Sequence, residues 1–424
     1  MWYVKAAARS AGDGSRQAPF NTLAAVQRIS RPGDRIVILP SPLSSAPLDG
    51  GIALKPRQVL VGGGPSVLHG RRAALPRIEN TLSSGQHGDA VELANGDTVE
   101  NLVIGPAYRG GIYGTGVKGA TVVGNDLSGT NTSCTTGFVV QPFKLPSLVP
   151  GAGVPFSSGL PNGWAAIMVD EPRGRATVRI SGNYVHDAGC ADGIDVRASG
   201  AARVAAAVTH NVLTRLQEGS AQQSVLAIGV QTIDTATLVA RLSENTETYI
   251  GSAVEGDQGD ADSEGLFANS AGPSRLTEHV DHNTFAHGLG HLSANCFEVV
   301  SSNGGPTMNV TLSRSSCQYV VGDILEAVNL SANATMHFAI DHVRAEHSEF
   351  VGGPAFHQVE PGDDGDCLFE LAAGAASNTT VKMTSSLLSG CQTDGLEVAS
   401  SVDDGTGPVT QLSFDVRDSQ ITGN

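Results

Sequence analysis

The sequence predicts an all-β chain folded as a right-handed parallel β-helix, a solenoid of about ten or more coils with an N-terminal helical cap. Three observations lead there. From residue 50 onward, short apolar runs recur, each followed by a turn residue, and no helical period is sustained. A small polar residue returns after one class of run, at Asn183, Asn211, Asn245, Asn283 and Ser315, spaced 28, 34, 38 and 32 residues apart. Glycine is abundant, 52 of 424 residues, and charged residues are scarce at 16%.

The chain divides into a lead-in segment with a capping helix, 1–50, and the solenoid, 51–424. Within the lead-in, Gly12-Asp13-Gly14-Ser15 is turn-like. Apolar positions Leu23, Val26 and Ile29 predict a short helix, with Asn21 or Thr22 as its N-cap. Pro32-Gly33-Asp34 ends it, and Ile36–Leu39 is a short strand. Each later repeat offers three short strands and three bends. One strand type reads apolar–X–apolar: Val91-Glu92-Leu93, Ile112-Tyr113-Gly114, Ile167-Met168-Val169, Ile194-Asp195-Val196, Leu226-Ala227-Ile228, Phe297-Glu298-Val299, Leu325-Glu326-Ala327, Phe369-Glu370-Leu371 and Leu396-Glu397-Val398. A second type ends in the small polar residue, and a third run follows it. Three parallel strands per coil explain this pattern. A single coil cannot bury its apolar face, whereas stacked coils share one core. Asparagine suits a bend because it tolerates left-handed geometry and its amide can bond the next coil.

The lead-in Asp13-Gly14-Ser15…Pro19-Phe20-Asn21-Thr22-Leu23…Pro32-Gly33-Asp34-Arg35-Ile36 resembles the first segment of many pectate-lyase-like right-handed β-helix proteins. Ala191-Asp192-Gly193-Ile194-Asp195 resembles the Asn-Thr-Asp-Gly-type run of polygalacturonases, but their Gly-His-Gly and Arg-Ile-Lys runs are absent. The resemblance implies the fold and a substrate groove on the outer face of one sheet. A shared fold does not fix the function.

Composition excludes other classes. No apolar run approaches the length needed to span a bilayer, so no membrane partner is expected. A hydrophobic content of 40% is too high for a disordered chain. A net charge of −16 without basic clusters argues against nucleic acid as a partner. Two long insertions, 132–164 and 251–265, are expected as loops. The first carries Phe138, Phe143, Phe156 and Trp164 among prolines and reads either as a wall over a cleft or as packing. The second is acidic, with Ca²⁺ as its candidate ion; otherwise no cofactor is expected. The six cysteines allow disulfides such as 296/317 and 367/391, or buried thiols. A secreted or extracytoplasmic setting is expected, with the cytoplasm as the alternative.

In apolar–X–apolar the middle residue points outward. The first strand type therefore predicts a carboxylate row through Asp195, Glu298, Glu326, Glu370 and Glu397. Asp192 and Asp323 stand at the bends before it. Carboxylates on neighbouring coils suit glycoside hydrolysis, which needs two of them. The candidate catalytic residues are Asp170, Asp195, Arg197, Glu298 and Glu326. The candidate substrate-binding residues are Tyr113, Trp164, Glu171, Asp192, Asp323 and Glu370. The function expected is a glycoside hydrolase or polysaccharide lyase acting on a polysaccharide or oligosaccharide. A non-catalytic, glycan-binding β-helix is the main alternative, in which the acids serve only solubility. An isomerase or cyclase with a lidded pocket is the weaker one.

Overall fold

The computed structural model describes residues 1–9, 12–42, 45–63, 75–137, 162–217, 224–251, 263–289, 294–349, 365–372, 374–400 and 410–423. Alternation of side chains dictates what these residues build. In Arg175–Ser181, Ala176, Val178 and Ile180 are buried while Arg175, Thr177 and Arg179 are exposed, the period-two pattern of a half-buried strand. From there the chain turns into Tyr184–Ala188 and then into Ile194–Ala198, which lies beside Ile167–Glu171 of the coil before. Repetition of this path gives three parallel sheets. The first contains Ile167–Glu171 and has 11 strands, the second contains Arg175–Ser181 and has 13, and the third contains Tyr184–Ala188 and has 11. The result is a right-handed parallel β-helix, the hand that parallel crossovers favour. One apolar core runs from Val4 to Cys391.

Among the described residues one α-helix, α1 (Leu23–Ile29), packs Leu23 and Val26 into that core. Thr22 caps it, its hydroxyl accepting the Ala25 N–H at 3.3 Å. The second sheet begins with Trp2–Val4 and Arg35–Ile38, so the lead-in contributes strands of its own to the solenoid. Most of the two expected insertions lies outside the described residues.

The bend between second and third sheets carries the asparagine ladder. Asn183 Oδ1 accepts both the backbone N–H and the amide of Asn125 at 3.0 Å. Asn211, Asn245 and Asn283 repeat the contact in turn, and Ser315 continues it through its hydroxyl. Left-handed geometry falls on the residue before each asparagine, not on the asparagine itself: Gly182, His210, Glu244 and His282 have φ from 55 to 65°. The asparagine is thereby free to serve the ladder.

A second left-handed column runs up the third sheet through Asp187, Arg215, Tyr249, His287, Tyr319 and His347. The rings of the last four stack at 4.9, 5.4 and 4.9 Å. This puts His287 on the third sheet. All six cysteines form disulfides, Cys134–Cys190, Cys296–Cys317 and Cys367–Cys391, with Cα separations of 5.1, 5.9 and 5.5 Å. Among the described residues no helix is long and apolar enough to cross a membrane.

Glu247, Glu278 and Glu370 occupy inward positions. Glu247 stands between Leu213 and Phe285, Glu278 between Ala240 and Val310, and Glu370 between Ala327 and Val398. All three are fully buried, and their carboxyl oxygens have no hydrogen-bond partner among the described residues. Burial raises each of them above the ordinary carboxyl range.

Candidate active site

Register decides which side chains share the outer face of the first sheet. The outward rung runs Glu92, Tyr113, Met168, Asp195, Gly229, Phe267, Glu298, Glu326, Phe369 and Glu397. Two expected members are corrected. Glu370 aligns with Ala327 and points into the core, and Phe369 takes its place outside. Gly229 and not Ala227 occupies the rung above Asp195. The first sheet is buried on both faces here, so apolar residues on either side of a strand leave its face ambiguous. Glu171 is also inward, because it follows the outward Asp170 directly. Burial pushes its carboxyl up to about 8.

The register brings together five of the sequence-derived candidates. Asp170 and Arg197 sit side by side on adjacent coils, and Arg197 Nε donates to Asp170 Oδ1 at 2.8 Å. Their side chains are 14% and 26% exposed, so the pair reaches solvent. Trp164 and Tyr113 meet edge to face at 5.1 Å and pack on Met168 and Ala165. Asp195 stands two residues before Arg197 but is fully buried. It lies over Gly229, where a Cβ would approach Asp195 Oδ1 to 2.6 Å. Burial, then repulsion from Asp192, raises Asp195 far above the usual carboxyl range, and burial pushes Asp192 up to about 8. Burial thus favours the protonated form at this pair.

Asp192 is tied into the coil stack. It accepts the Leu226 N–H at 2.9 Å and the Asn162 amide. Asp323 does likewise at its own bend, accepting the Asp366 N–H at 2.7 Å. Both are fully buried, which places them away from any solvent-facing substrate contact in this structure.

Two residues of this cluster are not among the sequence candidates. Arg109 stacks over Trp164 with its guanidinium carbon 4.1 Å from the ring centroid, and 5.1 Å from that of Tyr113. Asp89, fully buried, holds Arg109 through Nε at 3.0 Å and also accepts the Gly110 N–H at 2.7 Å. Asp89-x-x-Glu92 repeats the spacing of Asp192-x-x-Asp195, a signal present in the sequence. Arg109 lies in a bend and carries no such signal. Gly110 permits the close approach, since a Cβ there would come within 2.8 Å of Trp164 Nε1 and 2.9 Å of Asp89 Oδ1. Gly110→Ala is therefore expected to displace Trp164 while leaving the fold intact. A changed tryptophan emission with unchanged far-ultraviolet circular dichroism checks this, and an unchanged emission counts against it.

Further along the sheet, the expected carboxylate row is a covered seam. Glu298 and Glu326 are only 6% and 7% exposed. Glu298 bonds to Glu264 across the coils, and burial pushes it up to about 7. Glu326 Oε2 accepts the Asn295 amide at 2.7 Å. Diagonal pairing of a bend residue with the next coil's rung residue relieves the repulsion that an open row would suffer. At the far end, ligating oxygens of Asp366, Asp394 and Glu397 lie within 4.8 Å of one another. Asp366 Oδ1 there also accepts the Thr393 hydroxyl and the Asp394 N–H. Most of the acidic stretch considered for Ca²⁺ lies outside the described residues.

The stacked sheets define the class of the protein, a right-handed parallel β-helix. No family model matches the chain, and no curated protein does. Among solved structures it is similar to the GH136 lacto-N-biosidase of Eubacterium ramulus, at 12% identity over 98% of this chain and 67% of that one, with a TM-score of 0.43. It is also similar to a rhamnogalacturonan lyase, at 11% identity over 96% and 88%, with a TM-score of 0.40. The family 28 exopolygalacturonase of Yersinia enterocolitica follows, at 10% identity over 100% and 79%, with a TM-score of 0.34.

Proposed function

We propose that the chain is a carbohydrate-active enzyme whose reaction takes place over the Asp170–Arg197 pair. One observation carries this reading: a solvent-reaching carboxylate, fixed by a guanidinium, stands beside an aromatic wall and in front of two buried carboxyls. Trp164 and Tyr113 offer apolar ring surface to a sugar, and Arg109 and Arg197 offer fixed donors to its oxygens.

Environments that push two carboxyls apart in acidity separate acid from base. Asp170, ion-paired with Arg197, serves as the base. Asp195, protonated and on the next coil, serves as the proton reservoir with Asp192. The −16 charge disfavours a polyuronide, so hydrolysis of a neutral glycan is preferred over lysis. The three disulfides fit an oxidising, extracytoplasmic setting.

Burial of Asp195, Glu298 and Glu326 favours one competing reading, a glycan-binding module without turnover. A glycan panel separates the two. New reducing ends without an ultraviolet-absorbing unsaturated product would mark hydrolysis. Asp170→Asn should then lower the rate by about 10²–10⁴-fold. Retained activity in that variant removes the assignment, and binding with no product supports the module.

A further inference from the structure

Residues 131–137 and 162–164 run side by side just before Trp164 enters the site. Thr136 and Gly163 form an antiparallel bridge. Gly137 N–H donates to Asn162 O at 2.8 Å, and Trp164 N–H donates to Thr135 O at 2.9 Å. The backbone of Trp164 is thus set by its partner stretch, and the partner stretch is fastened in turn. Cys134 is bonded to Cys190. The Asn131 amide donates to Cys190 O at 2.6 Å and to Thr135 O at 2.9 Å, while Thr135 N–H returns a bond to Asn131 Oδ1 at 2.8 Å. Asn131 N–H also reaches Arg109 O at 2.6 Å, tying the residue that stacks on Trp164 to the same stretch. On the other side, the fully buried Asn162 donates its amide to Asp192. Gly163 N–H bonds Ser224 O at 3.2 Å, and a Cβ on Gly163 would meet Cys190 O at 2.3 Å.

We propose that the Cys134–Cys190 disulfide and Asn162 are positioning residues that hold Trp164 against Arg109 and Tyr113. They couple this aromatic wall to the Cys190–Asp192 bend and so to the Asp192/Asp195 carboxyls. The other two disulfides join residues beyond position 295 and have no part in this device. In its functional form the proposal rests on the reading of this face as a glycan site; its structural form does not.

The chain has two tryptophans, Trp2 and Trp164, so a Trp2→Phe background leaves Trp164 as the sole indole reporter. In that background, Cys134→Ser/Cys190→Ser should shift Trp164 emission to longer wavelength and increase its quenching by acrylamide. Cys367→Ser/Cys391→Ser should leave both unchanged. Asn162→Ser, which keeps every disulfide, should move them in the same direction and stands in if the double variant does not fold. On a turned-over glycan, Cys134→Ser/Cys190→Ser should raise KM by about an order of magnitude with kcat nearly held, the signature of lost uniform binding. Unchanged emission and quenching in the Cys134/Cys190 and Asn162 variants overturns the proposal. An equal change in the Cys367/Cys391 control also overturns it, since that means general loosening. Fluorescence needs no substrate, so the positioning of Trp164 stands or falls on these measurements even if no glycan is bound or cleaved.

Discussion

Replacing Glu278 with methionine is expected to stabilise the protein at pH 8 by up to roughly 5 kcal/mol, and by much less at pH 4. Glu278 stands inside the solenoid between Ala240 and Val310, and no group among the described residues bonds its carboxyl oxygens. Burial pushes it up to about 8 from an ordinary 4.5. Below about pH 4.5 both folded and unfolded chains hold the proton, so titration contributes nothing to the difference. Between about 4.5 and 8 the unfolded chain releases the proton and the folded chain retains it, so stability falls steadily as pH rises. Above about 8 the loss is complete. Methionine fills a similar volume without a charge to desolvate. Denaturant midpoints of parent and variant across this range test the sign. A gain equal at both pH values would show that titration is not the cause, and a loss at pH 8 would show that the carboxyl has an unseen partner. Glu247 and Glu370 occupy equivalent inward positions, so the whole fold is expected to favour acid over alkali.

Asn211→Ala is expected to have a comparable effect of opposite sign, about 3–6 kcal/mol of destabilisation with little dependence on pH. Asn211 Oδ1 accepts both the N–H and the amide of Asn183, and its own amide donates to Ile180 O and Asn245 Oδ1. Truncation strands several buried polar groups on three coils at once. Each stranded group forfeits about 1–3 kcal/mol of solvation. Asn211→Ser should be milder, because a hydroxyl serves this ladder at Ser315 and Ser386. A serine variant as damaged as the alanine one would mean that the side chain's size, not its bonds, supports the bend.

The repeat and its ladder are legible in the sequence because they depend on local chemistry. Val178 and Ile180 alternate with polar neighbours, and Asn183, Asn211 and Asn245 recur with the coil. Faces of the first sheet are harder to read. Phe369-Glu370-Leu371 looks like Leu325-Glu326-Ala327 in sequence, yet register turns one glutamate inward and the other outward. Nothing local distinguishes them when both faces are covered. The candidate site is legible where it lies on strands: Asp170 and Arg197 stand out in the sequence, but their pairing depends on the register of two coils. Arg109 is out of reach because a bend delivers it, and its role depends on Trp164, 55 residues away. The sheltering of Asp195, Glu298 and Glu326 is likewise a property of distant chain folding back, which a strand pattern does not record.

The strict parallel register has a consequence for length. Thr237 lies over Arg275, and Thr246 lies over Thr284, so residues 237–274 amount to one revolution of the chain. Excising them would join Ala236 to Arg275 in phase. It would remove no cysteine, bring Asn211 to Asn283, and leave the strands that carry Tyr113, Asp170 and Arg197 untouched. The number of coils in such a molecule changes in whole revolutions, while the connections between strands vary in length from coil to coil. Its natural unit of insertion or deletion is a lap of the solenoid, and a gene for it can lengthen or shorten in those steps while the chemistry near its first third stays where it is.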